Sequence, residues 1–123
     1  MASDAVARVQ RGIQAWQSGD FETIEALLDP AAEWHAVEPG DWDCHGRDEV
    51  MATLRERHEQ GFAAGELEIV EAGPNAVVLV SHPSAIGGPE WPDETATLIT
   101  LGGDRVVRMR DFATQAEALA AAG

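Results

Sequence analysis

Between Glu66 and Phe112 four strand-like runs follow one another with little more than turns between them. "ELEIVEAG" (66–73) alternates apolar and polar residues as a half-buried strand does. "NAVVLVSH" (75–82) is a stronger strand, preceded by a Gly-Pro-Asn turn signal. "ETATLITL" (94–101) and "DRVVRMRDF" (104–112) lie on either side of a Gly-Gly-Asp hairpin turn. Only "PSAIGGPEWPD" (83–93), with three prolines and two glycines, reads as a longer loop. Strands joined this way pair antiparallel, and such a sheet needs something to cover its apolar face.

The preceding residues supply helices. Val6, Val9, Ile13 and Trp16 recur at three- and four-residue steps, which predicts a helix over 4–17. "SGD" breaks it: Gly19 suits a positive φ after a helix, and Asp20 suits an N-cap. A short second helix follows, with Phe21, Ile24, Leu27 and Leu28 inward and Pro30 ending it. "AEWHAV" (32–37) is the first strand, and "EPGDWDCHG" is a loop. Gly46 opens a third helix with Asp48 and Glu49 in its first turn, where acids suit the dipole. Its inward stripe is Val50, Met51, Leu54 and, in register, His58. Thr114 and Glu117 form a capping box for a terminal helix. The order predicts an α+β fold: helices packed on one face of an antiparallel sheet, in one domain over 1–123.

Composition narrows the chemistry. A formal charge of −14, from 8 basic and 22 acidic residues, repels nucleic acid. No apolar run approaches the roughly 20 residues of a membrane span. The first residues, "MASDAVARVQ", lack a basic region and an apolar region, so a cytoplasmic protein is expected. There is no Lys and no Tyr, which excludes Schiff-base chemistry and a phenol donor. Cys44 is alone, so an intrachain disulfide is excluded. Asp41, Asp43 and His45 alternate in sequence but match no familiar ligand spacing, so no metal is expected. No cofactor is implied either.

Three segments, "VQRGIQAWQSGDFETIEALLDPAAEW", "HGRDEVMATL" and "GGDRVVRMRDF", together resemble the nuclear transport factor 2-like superfamily, which includes ketosteroid isomerase and the SnoaL-like polyketide cyclases. They span nearly the whole chain in the right order. The resemblance implies a cone, with a curved sheet wrapped on helices and a pocket at the wide end. It also implies a homodimer through the outer sheet face. The isomerases so resembled use a tyrosine on the first helix, a base carboxylate on the first strand and a second acid in the later sheet. Those positions fall on Gly12, on Ala36 (or Val37 counted back from Gly46) and near Thr97. All three groups are lost, so ketosteroid isomerisation is not expected.

Other residues are candidates for the chemistry. Glu38 is the nearest carboxylate to the missing base: either a general base for a proton next to a carbonyl, or a solvated group at a strand end. Asp111 alternates with Val107 and Met109 and so points into the cavity, as an acid or base or as a partner for an arginine. His82 ends the face of Val78 and Val80, either as an acid–base group at the rim or bonded to the loop that follows. Trp34 and Ala36 share the inner face of the first strand, which sends His35 outward toward a dimer contact. Thr97, Met109, Leu54 and His58 are expected to line the pocket. Trp42 and Trp91, in loops, are expected to lid a ligand or plug the cone. Two readings follow. One is a cofactor-free acid–base enzyme (isomerase, cyclase or hydrolase) on a small apolar, carbonyl-bearing molecule, using Asp111, Glu38 and His82. The other is a non-catalytic ligand-binding or dimerisation module.

Overall fold

The computed structural model describes residues 4–38, 40 and 43–122, without the side chain of Ala64. Helix α1 (Asp4–Ser18) ends in a Schellman motif. Gly19, at φ +79°, donates to the Trp16 carbonyl at 3.2 Å, and Asp20 N–H reaches the Ala15 carbonyl at 2.7 Å. Asp20 then caps α2 (Phe21–Leu27): its carboxylate accepts from Thr23 N–H at 3.2 Å and from the Thr23 hydroxyl at 2.6 Å. These bonds hold the Asp20 carboxyl below the usual range.

Strand β1 (Leu28–His35) starts four residues before the expected Ala32, so α2 stops at Leu27 and not at Pro30. The cause is a register shift. Leu28 pairs with Val106 and Glu33 with Arg108, so Asp29–Ala32 form an irregular, bulged stretch of the strand against β6. Pro30 needs no ladder partner there. The Asp29 carboxylate accepts from Ala31 N–H at 2.9 Å instead. The expected loop before Gly46 contains a two-residue strand, β2 (Cys44–His45), beside Trp34 and Glu33. Then come α3 (Arg47–Glu59), a 3₁₀ turn (Phe62–Ala64), β3 (Leu67–Glu71), β4 (Ala76–Ser81), a short α4 (Ser84–Gly87), β5 (Thr95–Gly102), β6 (Arg105–Phe112) and α5 (Gln115–Ala122).

The six strands form one curved, open sheet in the order β2-β1-β6-β5-β4-β3. Only β1 and β6 run parallel. The ladders place Trp34, Met109, Ile99 and Val77 in one row and Asp111, Thr97, Leu79 and Ile69 in the next, all on the inner face. Helices α1, α2 and α3 close over that face, and Ala32, Val50 and Val77 are fully buried between. A second register shift, between Thr100 and Leu101, makes Val107 the extra residue of β6. Val106 therefore faces the cavity where alternation alone put Val107.

Helix α5 crosses the outer face. Its Ala118 is fully buried against Val78, Val80 and Ala96. Thr114 caps it, accepting from Glu117 N–H at 3.2 Å, and the Glu94 carboxylate accepts from Gln115 N–H at 2.9 Å. The apolar part of the outer face, expected to meet a second subunit, is thus covered by the chain's own C-terminal helix. Val70, Leu98 and Phe112 on the same face are half-buried, and at its β1 edge the face is polar, with Glu33, His35 and His45 beside Arg108 and Arg110. Among the described residues no helix is long and apolar enough to cross a membrane.

Candidate functional site

Between the inner sheet face and the helices lies a cavity of about 800 Å³. Its walls are mainly apolar, with Ile13 and Trp16 from α1, Leu54 from α3, and Trp34, Ile99 and Met109 from the sheet. Trp16 is fixed by its indole N–H, which donates to the Leu54 carbonyl at 2.8 Å.

Asp111 is the half-buried acid in this wall; Glu38, Glu56 and Glu66 also line it but are exposed. Thr97 Oγ1 donates to Asp111 Oδ1 at 2.7 Å, and Trp34 Nε1 donates to the same oxygen at 2.9 Å. Among the described residues no donor reaches Oδ2. Burial pushes the Asp111 carboxyl above the usual carboxylate range. The two donors and the Arg57 charge pull against that and do not overcome it. Both donors favour the ionised form. Thr97→Val and Trp34→Phe are each expected to raise the Asp111 pKa further, read by carboxyl-carbon NMR. An unchanged or lower value would contradict this.

The other candidates are more exposed. Ala36, Val37 and Glu38 line the cavity just beyond β1, with Val37 49% exposed and Glu38 in solvent. The Asp43 carboxylate fixes this turn by accepting from Ala36 N–H at 2.9 Å. His82 also lines the cavity but is exposed, and its Nδ1 lies 3.0 Å from the Asp93 carbonyl. The structure therefore joins Asp111, Thr97 and Trp34 by hydrogen bonds, and among the described residues no hydrogen bond links Glu38 or His82 to them.

His58 is not in the cavity wall. On α3 and its C-cap the lining residues are Thr53, Leu54, Glu56, Arg57 and Gln60. Each residue turns about 100° around a helix, so His58 lies well round from Arg57, toward α2. Its ring meets Phe21 edge-on at 5.4 Å. Trp42 and Asp41 lie outside the described residues. His35 points outward, as alternation predicts, with its ring nitrogens each 3.4 Å from the Asp43 and Glu33 carboxylates. Those contacts hold the Glu33 and Asp43 carboxyls below their usual range; the Ala36 N–H is the larger cause for Asp43. Among the described residues no group of three or more His, Cys, Asp or Glu side chains is arranged to hold a metal.

Residues 9–112 match the SnoaL-like domain family. The chain belongs to this family. This SnoaL-like chain also shares its fold with an NTF-2 like protein of unknown function from Burkholderia xenovorans LB400, at TM-score 0.67 and 22% identity over 89% of this chain and 81% of that one. A cystatin fold protein from Novosphingobium aromaticivorans, described as uncharacterized, aligns at TM-score 0.64 and 19% identity over 91% and 99% of the two chains. A putative polyketide cyclase from Xanthomonas campestris pv. campestris aligns at 0.63 and 16% over 98% and 97%. No curated protein matches the sequence.

Gly12, Ala36 and Thr97 all line this SnoaL-like cavity. Two of its features escaped the sequence. One is that Thr97 holds the neighbouring strand's Asp111. The other feature is a cation. Arg57 lines the cavity under Trp91, with its guanidinium carbon 4.9 Å from the indole centroid. Trp91 in turn lies on Gly87, where a Cβ would stand 2.3 Å from the indole, so only glycine fits that turn. The spacing of Thr53, Arg57 and Gln60 along α3 and its C-cap marks a second, polar stripe beside the apolar one.

Proposed function

We propose that this protein is a cofactor-free acid–base enzyme that moves a proton on a small, largely apolar molecule bearing a carbonyl group. Asp111 is the proton-transfer group. The observation that carries this reading is the Asp111 carboxyl, half-buried in the wall of a mainly apolar cavity with both its donors on Oδ1. Burial makes the ionised carboxylate a stronger base than one in water. Oδ2 takes a proton from the carbon next to the carbonyl and returns it to another atom of the substrate. Return elsewhere gives an isomer; attack by the carbanion on a second carbonyl gives a ring. Thr97 and Trp34 hold the carboxyl in orientation. His82 and Glu38, exposed at the mouth, exchange protons with solvent in this scheme. The fold shared with a putative polyketide cyclase agrees with such chemistry. The domain spans 1–123 and works in the cytoplasm, as a homodimer through the polar strip of Glu33, His35, His45, Arg108 and Arg110.

A second reading has one observation in its favour. The isomerase positions have become Gly12, Ala36 and Thr97, which suits a binding module that keeps the pocket without the catalyst. Deuterium exchange separates the two. The protein is incubated in D₂O with a panel of neutral ketones, enones and 1,3-dicarbonyl compounds, and the protons next to each carbonyl are followed by NMR. The enzyme reading expects faster exchange than buffer gives for at least one compound. Compounds that bind without accelerated exchange would leave the binding module.

A further inference from the structure

Arg57 is half-buried on the cavity side of α3. The chain carries 22 acidic residues against 8 basic ones, yet among the described residues no carboxylate lies within 4.0 Å of this guanidinium. Its one hydrogen bond runs from Nη1 to Gln60 Oε1 at 3.0 Å. Two aromatic rings hold it: Trp91 at 4.9 Å and Phe62 at 5.9 Å, themselves 4.7 Å apart. A guanidinium has five N–H donors in a fixed plane. Clamping by rings spends none of them and removes much of the rotamer entropy that binding would otherwise cost. By contrast Arg8, the other arginine in the wall, is paired with Asp104 at 3.0 Å. The rest of the wall is mainly apolar, and among the described residues Arg57 is its one arginine without an ion pair and Asp111 its one half-buried acid. The Arg57 charge is felt at Asp111.

We infer that the cavity receives a small apolar monocarboxylate, with its carboxylate bound at Arg57 and its apolar body against Trp16, Trp34 and Met109. A carboxylate fits the guanidinium edge with paired hydrogen bonds. A phosphate dianion would bring a second charge for which, among the described residues, the cavity wall has no further arginine without an ion pair. Glu38, Glu56 and Glu66 stand at the rim, exposed, where water and salt screen them from a buried anion. The placing of the reacting carbon at Asp111 rests on the proposed acid–base reading; the carboxylate at Arg57 does not.

The test uses matched probes, naphthalene-2-carboxylate and naphthalene-2-carboxamide, titrated into the full chain at pH 7 by calorimetry. Wild type is expected to bind the carboxylate about tenfold more tightly or better, as charge-assisted hydrogen bonds predict. Arg57→Gln is expected to erase that preference while holding the carboxamide affinity within about twofold, which shows an intact cavity. Arg57→Lys, which keeps the charge but not the planar fork, is expected to fall between. Asp111→Asn is expected to keep the preference. Equal binding of the two probes by wild type, no carboxylate binding, or a preference that survives Arg57→Gln would overturn the inference. Exchange of the neutral ketones would be untouched by that failure. A lost exchange with an intact carboxylate preference would sink the catalytic reading alone.

Discussion

Asp111→Asn is expected to slow catalysed proton exchange by about 10²- to 10⁴-fold, the range a general base supplies, and to raise the melting temperature at neutral pH. Asparagine Oδ1 accepts the same bonds from Thr97 and Trp34, so the cavity keeps its shape. What it cannot do is take a proton. The stability change follows from the sign of the pKa shift. The folded carboxyl lies above the unfolded value, so the native state holds more protons than the unfolded one between the two. Wild-type stability from this group is greatest below the ordinary carboxylate range and falls as pH rises through the raised folded value. The Asn variant lacks that slope, so its advantage opens across this window and stays constant above it. Retained exchange would move catalysis to another group. A fall in melting temperature above the window would mean that burial does not dominate at Asp111.

Val78→Asp is expected to remove about 3–5 kcal/mol of stability, read as a lower urea midpoint. Val78 is fully buried although it lies on the outer face of the sheet, because α5 covers it together with Val80 and Ala96. Burying a valine contributes roughly 1.5–3 kcal/mol, and an unpaired carboxylate in its place adds a desolvation cost. Against a total of about 5–15 kcal/mol for a domain, that is a large share. The loss should not depend on protein concentration, since the cover belongs to the same chain. A variant that merely dissociates into stable monomers, with the midpoint of dilute wild type, would show that a second subunit and not α5 buries this face.

The sequence was most legible where a signal is local. The Gly19–Asp20 break and the Thr114 N-cap are cap chemistry that needs no distant partner, and both stand in the structure, though among the described residues only the Thr114 half of the expected box forms. The inward turn of Asp111 followed from its two-residue step to Met109. Legibility failed where a strand departs from its own period. Val107 was expected inward, and the bulge in β6 gives that place to Val106. The start of β1 was missed because Leu28 continues the helical stripe of α2 while pairing with Val106. Two residues, Cys44 and His45, are too few to show alternation at all. His58 follows Leu54 by one helical turn, yet the cavity faces the Thr53–Arg57–Gln60 side. The docking of α5 was invisible because its run of alanines shows no strong stripe, and only tertiary packing reveals which of them is buried.

One titration bears most directly on the claim that Asp111 is a proton-transfer group set in an apolar cavity. Carboxyl carbons labelled with ¹³C in the aspartates allow Asp111 to be followed by NMR from pH 3 to 9, with Asp111→Asn identifying its resonance. A midpoint clearly above the roughly 3.9 of an ordinary aspartate is predicted. A midpoint at or below that value would make Asp111 a solvated or ion-paired carboxylate, and the catalytic account would fall with it.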